Sequence, residues 1–297
     1  MSKLNFLKTL VILLLLAGCG GSTKSSKENV YYKGIDDYGR EVVIKDEPKR
    51  IISVSPGITE ILYALDCEAT LVGRSEYCVY PEAVKAIPSV GGISDVNVEK
   101  IIELKPDVVL IGSMITKQVV DFLTEAGIPT IAIKEKNTFN GVYENILAVG
   151  EVLSKTHAAE WLVDTLKTQM KNIIRSTDNT KPKPKIYYVV GYGKSGDYTA
   201  GGDTYIQDII TLAGGKNIAE GLQGWSFSRE LLFERNPDYI FIRAEDYQSF
   251  IETQPYTQLD AVRKGNVYPI ESALMDVQTP RSIQAVEIIA EKSRGGL

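Results

Sequence analysis

The apolar positions of this chain fall into short blocks that alternate between two periods. Arg50 to Val54, Leu71 to Ser75, Asp107 to Ile111 and Thr130 to Ile133 are brief apolar runs, as in strands buried on both faces. Thr59 to Leu65, Val98 to Leu104, Val119 to Ala126 and Val142 to Leu153 instead space their apolar residues as helices do. This alternation predicts a mostly parallel sheet covered by helices. Ahead of it, Tyr32 to Ile44 reads as a polar hairpin, with an Asp-rich turn ending in Gly39 and an alternating strand from Glu41 to Ile44. A second set follows TKPKPK (Thr180 to Lys185). Its strands are expected at Ile186 to Val190, Tyr239 to Arg243 and Val267 to Ile270, and its helices at Ile206 to Ala213, Glu230 to Glu234 and Ser282 to Glu291. One long helix, Thr156 to Ser176, separates the sets, with Leu162, Leu166, Met170 and Ile173/Ile174 as its apolar stripe and Thr156 as its expected N-cap. At 1.5 Å per residue it is a rod of roughly 30 Å.

The two sets share a unit. Asn97 to Ile111 reads NVEKIIELKPDVVLI, and Ser228 to Ile242 reads SRELLFERNPDYIFI, aligned without a gap. Glu99 meets Glu230, Glu103 meets Glu234, Pro106 meets Pro237 and Asp107 meets Asp238. Each copy has a capping residue, a short amphipathic helix, a Pro-Asp turn and an apolar strand. The expected fold class is therefore α/β: two lobes with mostly parallel sheets flanked by helices, joined by a single long helix, with a ligand cleft between them. The N-terminal lobe is placed at 31–155, the linking helix at 156–178 and the C-terminal lobe at 179–297.

The beginning of the chain adds a destination. Lys3 and Lys8 precede the apolar run Leu10 to Ala17, far short of the ~20 residues that span a bilayer. A basic start, a short apolar core and small residues read as a secretory signal, 1–18. Leu16-Ala17-Gly18-Cys19 has the form of a bacterial lipobox, which makes Cys19 the lipidated residue, and 19–30, which includes GGSTKSSK, a flexible tether. An ordinary signal peptide with a chance cysteine, or a weak anchor, is the plainer alternative. The lipobox reading puts the protein outside the cytoplasm, held on the cell membrane by lipid. A net charge of −5 with no concentrated basic face argues against nucleic acid as a partner. Cys67 and Cys78 are expected at opposite ends of a strand spanning roughly 16 Å, too far apart to bridge, and so reduced.

In open α/β sheets ligands bind beyond the carboxyl ends of the strands. That places Ser55 to Gly57, Glu76 to Tyr80, Gly112 to Ile115, Tyr192 to Tyr198, Gly224 to Phe227, Arg243 to Tyr247 and Ala273 to Asp276 at the cleft. Arg74, Tyr77, Met114, Tyr192, Tyr198, Trp225, Arg243 and Tyr247 are the candidate ligand-binding residues, Trp225 first. Aromatic faces with a few cations suit a flat or bulky anionic ligand. Chemistry has no visible apparatus. There is one histidine, His157, at the start of the long helix, and no HExxH, CxxC, nucleophile elbow or GxGxxG. A single histidine argues against a bare zinc or manganese ligand. No catalytic residue, metal site or resident cofactor is expected.

KRIISVSPGITEILYAL, YCVYP, PSVGG, NVEKIIELKPDVVL, TAGGDTYIQDIITLAGGKNIAEG, FSRELL and NPDYIFI, in order from about Ile35 to Ala290, resemble the iron-complex/cobalamin substrate-binding proteins of ABC importers. The resemblance implies two α/β lobes on one rigid helix, with modest closure on binding. It implies a permease dimer with its ATPase as partner, and Glu99 and Glu230, one per lobe, docking onto permease arginines. Favourable placement of a first-turn glutamate in the helix dipole is the plainer account of those residues. Cobalamin receptors of the family often carry tryptophan just before the NxE helix, where this chain has Ile93, although Tyr77 and Trp225 fall near aromatic positions those receptors use. Haem receptors use Tyr, His or Met as axial ligands. On the resemblance a ferric siderophore ranks first, a corrinoid second and haem third, bound by a monomer.

Overall fold

The computed structural model describes residues 30–177 and 182–293, so the signal segment, Cys19, nearly all of the tether and part of the TKPKPK stretch lie outside the described residues. A two-stranded antiparallel hairpin, β1 (Tyr32–Ile35) and β2 (Glu41–Ile44), opens the fold with Tyr32 opposite Ile44. Then come β3 (Ile51–Ser53), α1 (Pro56–Ala64), β4 (Leu71–Arg74), α2 (Val98–Glu103), β5 (Val108–Ile111), α3 (Lys117–Glu125), β6 (Thr130–Ala132) and α4 (Asn140–Val152). Their strands form a parallel sheet in the order β4-β3-β5-β6. After α5 (Thr156–Ser176) the second lobe runs β7 (Lys185–Val189), β8 (Asp197–Tyr198), α6 (Tyr205–Leu212), β9 (Lys216–Asn217), β10 (Ser226–Phe227) and α7 (Arg229–Arg235). It finishes with β11 (Tyr239–Arg243), α8 (Tyr247–Glu252), α9 (Asp260–Arg263), β12 (Val267–Ile270), α10 (Ser272–Asp276) and α11 (Ser282–Ser293). Its parallel sheet is ordered β12-β11-β7-β9, and β8 pairs with β10 as a separate antiparallel ribbon.

The repeated unit holds the same place in both sheets. β5 lies between β3 and β6, and β11 lies between β7 and β12. Asn97 and Ser228 cap their helices by accepting from Lys100 N and Leu231 N. Asp107 Oδ2 accepts from Lys49 N and Arg50 N at 2.8 and 2.9 Å, and Asp238 Oδ2 accepts from Lys185 N at 2.7 Å. In each lobe the Pro-Asp turn thus fastens the repeat strand to the start of its neighbour. The equivalence read from the two sequences extends to the hydrogen bonds that set strand register.

α5 is a packed spine. Ala159, Val163, Leu166 and Met170 are buried, in one apolar cluster with Val149 of α4 and Ile289 of α11. The buried stripe differs from the expected one: Leu162 and Ile173 are only partly covered and Ile174 is exposed. A core shared by both lobes around one helix couples them firmly. The helix begins at Thr156 but its cap is Lys155, not the expected Thr156, and the cap makes no side-chain hydrogen bond. α1 begins three residues before the expected start, because Ser55 Oγ accepts from Ile58 N and Pro56 fills the first helical position. Cys67 and Cys78 are both free and buried, and burial pushes both thiols up.

The turn of the opening hairpin is tied to the sheet edge through Asp36. Its Oδ2 accepts from Arg40 Nη2 at 2.6 Å and from Ala132 N at 3.3 Å, and Arg40 Nη2 also donates to Thr130 O at 2.7 Å. Burial alone raises this carboxyl, but the backbone and side-chain hydrogen bonds and charge of Arg40 prevail and hold it below the ordinary carboxylate range. A folded value below the unfolded one means that the stabilisation is present above the unfolded value. It fades as pH falls through the folded one. Asp36→Asn is expected to cost about 1.5–3 kcal/mol at neutral pH, the worth of a hydrogen bond to a charged group. The gap should close at acid pH, read by urea denaturation of both proteins across pH 7 to 3.

Candidate ligand-binding cleft

Between the lobes lies a cavity of about 510 Å³. The N-terminal lobe supplies the segments just beyond three strands: Val54 to Pro56 after β3, Gly112 to Met114 after β5, and Glu135 and Asn137 after β6, with Ile93 beside them. The other wall is Asp203 to Ile206 at the start of α6, Gly224 and Trp225 before β10, and Met275 to Gln278 at the end of α10. Two other hollows, of about 720 and 730 Å³, lie between α5 and α11 and at the amino ends of β7 and β11. Of these three, the cleft is the one that collects residues from the carboxyl ends of strands, where ligands of such sheets bind.

Trp225 owes its position to backbone stitching. Gly201 N donates to Gly224 O and Thr199 N to Trp225 O, at 2.8 and 2.9 Å, while Gly202 N reaches Leu222 O at 2.8 Å. A Cβ at Gly202 would stand 1.9 Å from Glu220 O, so this approach requires glycine. The loop thereby offers the Trp225 ring to solvent, 47% exposed, facing a cavity that Met114, 59% exposed, lines from the other lobe. The floor is fixed by crossings between the lobes. Lys136 N donates to Gln278 Oε1 and Gln278 Nε2 to Lys136 O; Phe139 N donates to Asp208 Oδ2 at 2.8 Å. Phe139 stacks on Tyr205 with centroids 6.0 Å apart.

Three carboxylates line the cavity, and no lysine or arginine does. Glu135 accepts from Ser113 N at 2.8 Å and Ser55 Oγ at 3.2 Å. Asp203 Oδ1 accepts from Gly224 N at 2.8 Å. Asp276 accepts from Tyr188 Oη at 2.9 Å and Arg243 Nη2 at 2.8 Å. Burial weighs against the Arg243 charge, but Asp276 beside it prevails and keeps its pKa raised. Each carboxylate is oriented by a protein donor, and because Asp276 is paired with Arg243, the uncompensated negative charge of this acceptor-rich surface is that of Glu135 and Asp203.

Of the residues the sequence nominates, the structure brings Met114 and Trp225 into the cavity wall. Arg243 stands behind the wall, on Asp276. Arg74 is turned away, its guanidinium donating to Val84 O, Ser75 O and Lys85 O. Tyr192 packs edge-on against Phe250 and Tyr256, and Tyr247 belongs to the same apolar cluster. Tyr198 donates to Ser195 O. Tyr77 is exposed on the loop after β4 and outside the cavity wall. The lining residues Glu135, Asn137, Asp203, Tyr205 and Gln278 were not among the nominees. Asp203 and Tyr205 fall within the TAGGDTYIQDIITLAGGKNIAEG motif, where Thr204 caps α6 by accepting from Gln207 N. Glu99 and Glu230 are both exposed, in the first turns of α2 and α7. The Glu230 carboxyl is lowered by its own backbone N–H and by Ser228. His157 is fully solvated, 3.6 Å from Glu160. Among the described residues no group of three or more His, Cys, Asp or Glu is placed to hold a metal ion.

Residues 51–274 match the family described as periplasmic binding protein. An ABC transporter substrate-binding lipoprotein of Bacillus subtilis, itself uncharacterized, is 32% identical over 295 residues, covering 95% of this chain and 94% of the relative. The vitamin B12-binding protein of Photorhabdus laumondii is 27% identical over 249 residues, covering 82% of this chain and 88% of that one. Among solved structures, a possible iron-binding periplasmic solute-binding protein from Staphylococcus epidermidis superposes with a TM-score of 0.72 at 26% identity, over 83% of this chain and 99% of that one. Family, lobes and cleft agree: the chain belongs to the periplasmic binding protein family, as an extracytoplasmic substrate-binding component of an ABC transporter and not an enzyme.

Proposed function

We propose that the chain captures a corrinoid and delivers it to the permease of its transporter, anchored to the membrane through lipid on Cys19 and acting as a monomer. The observation that carries this reading is the cavity lining of three oriented carboxylates, of which only Asp276 is paired with a cation, Arg243 behind the wall. Such a surface repels ligands that carry carboxylates, as haem does with its propionates, and ferric catecholates, which are anionic. A corrinoid is neutral or positive and presents a rim of amide N–H donors, which carboxylates accept strongly. Trp225 and Met114 supply apolar faces for the macrocycle. The name of the Photorhabdus laumondii relative points the same way.

A ferric siderophore, first choice on the sequence, is the second reading, favoured by the name of the Staphylococcus epidermidis structure. The lining restricts it to uncharged or cationic complexes such as ferric hydroxamates. Titration of the purified Trp161→Phe protein with cyanocobalamin, a ferric hydroxamate, a ferric catecholate and haemin, followed by the fluorescence of Trp225, separates the readings. Saturable quenching by cyanocobalamin alone is the expected result. Quenching by the hydroxamate alone establishes the second reading, and preference for haemin or the catecholate overturns both.

Glu99 and Glu230 are the proposed permease contacts. They are exposed, belong to equivalent helices of equivalent lobes, and suit a partner of twofold symmetry.

A further inference from the structure

Among the described residues, one ion pair joins the two lobes. Arg281, just ahead of α11, donates from Nε to Glu60 Oε2 at 2.8 Å and from Nη2 to Glu60 Oε1 at 2.9 Å. Glu60 belongs to α1 of the other lobe, and the two side chains are 13% and 6% exposed. Nη1 of the same guanidinium donates to Glu271 Oε1 at 3.2 Å. Glu271 caps α10, the helix that carries Met275 and Asp276 to the cleft. The flat face of the guanidinium lies over the Tyr80 ring, 3.5 Å from its centroid, in the loop that presents Tyr77. One cation therefore touches α1, the loop after β4 and the base of α10, and of these α1 and α10 reach opposite walls of the cleft.

We propose that Arg281 is a positioning residue that fixes the resting separation of the lobes, so that the empty cleft is already set for its ligand. The consequence for binding rests on the cleft being the ligand site; the consequence for lobe geometry does not. A guanidinium makes this contact because its fork matches a carboxylate while its face stacks on an aromatic ring, and a lysine ammonium does neither. Removing it leaves Glu60 buried without a partner, and separating the lobes is the way for that carboxylate to regain water. The Lys136–Gln278 and Phe139–Asp208 crossings remain, so the lobes stay joined through a looser hinge.

The test uses the full-length lipidated protein in detergent, with spin labels on cysteines at Glu125 and Glu252, exposed positions of α3 and α8 in opposite lobes. Cys67 and Cys78 are buried and stay unlabelled. Without ligand, the parent is expected to give one narrow distance distribution. Arg281→Gln should give a broad one shifted to longer distances, and Arg281→Lys, which keeps the charge and serves if Gln impairs folding, should do so partly. Tyr80→Leu, which keeps the ion pair, should leave the lobe distances as in the parent. If the set conformation falls to about a tenth of the population, cyanocobalamin affinity falls about tenfold. A merely structural role would lower the melting temperature of the Gln and Lys variants and leave their distances unchanged. That result overturns the proposal. Broadened distances together with no cyanocobalamin binding by any form, parent included, support it and count against the corrinoid reading alone.

Discussion

A protein carrying both Glu99→Arg and Glu230→Arg is expected to bind its ligand as tightly as the parent and to deliver almost none of it. Neither carboxylate lines the cleft, and both are exposed, so the folded protein has no local use for them beyond a favourable place in a helix dipole. Surface substitutions of this kind usually stay within about 0.5 kcal/mol of the parent in stability. At an interface the balance changes. Losing one hydrogen-bonded charge partner costs about 2 kcal/mol or more, roughly thirtyfold in complex formation, and reversal sets like charges together. Because the two lobes repeat the same contact, each single reversal should leave a weakened one-sided grip and the double reversal should leave none. Uptake of labelled ligand into vesicles containing the permease and ATPase, beside titration of the same variants, reads both quantities. Parent-level uptake by the double variant removes the docking role. Lost ligand binding would place the glutamates in the cleft instead.

In the cleft, Trp225→Ala is expected to weaken cyanocobalamin binding by about 2 kcal/mol, near thirtyfold, the loss typical of an aromatic anchor. Its ring lies half open on a loop held by the Thr199, Gly201 and Gly202 hydrogen bonds, so truncation empties the site without loosening the fold. Asp203→Asn isolates charge. The amide oxygen still accepts from Gly224 N, so the loop keeps its form while one of the three negative charges disappears. The expected loss is about 1.5 kcal/mol for a corrinoid, the worth of a charge-assisted hydrogen bond, with a gain for haemin or any other anionic probe. Calorimetric titration of both variants measures this. Unchanged affinity in both removes this wall from the site, and weaker haemin binding in Asp203→Asn contradicts the charge argument.

The sequence displayed most of the architecture because its signals are local. The expected strand runs and helical stripes lie within three residues of their positions in the fold, and the pairing of Asn97 to Ile111 with Ser228 to Ile242 anticipates the matching strand orders of the two sheets. What escaped is short or depends on tertiary context. β8, β9 and β10 have two residues each, too few for any period to register. The burial of Ala159 and Val163 follows from the approach of α4 and α11, which no stripe on α5 alone records. The site was legible in place but not in charge. Carboxyl-end segments were located from topology, and Trp225 and Met114 among them line the cavity. Whether an arginine faces a ligand or a carbonyl is decided by partners distant in sequence. Arg74 donates to carbonyls at Val84 and Lys85, and Arg243 is held by Asp276 across 33 residues. With both arginines so engaged and Glu135 and Asp203 facing the cavity, the preferred ligand changes from an anion to a neutral or cationic complex.

The most direct test of that preference is native mass spectrometry of the protein offered equal concentrations of cyanocobalamin, a ferric hydroxamate, a ferric catecholate and haemin. One dominant adduct is expected, a single cyanocobalamin per chain. A dominant haemin or ferric catecholate adduct would contradict that preference.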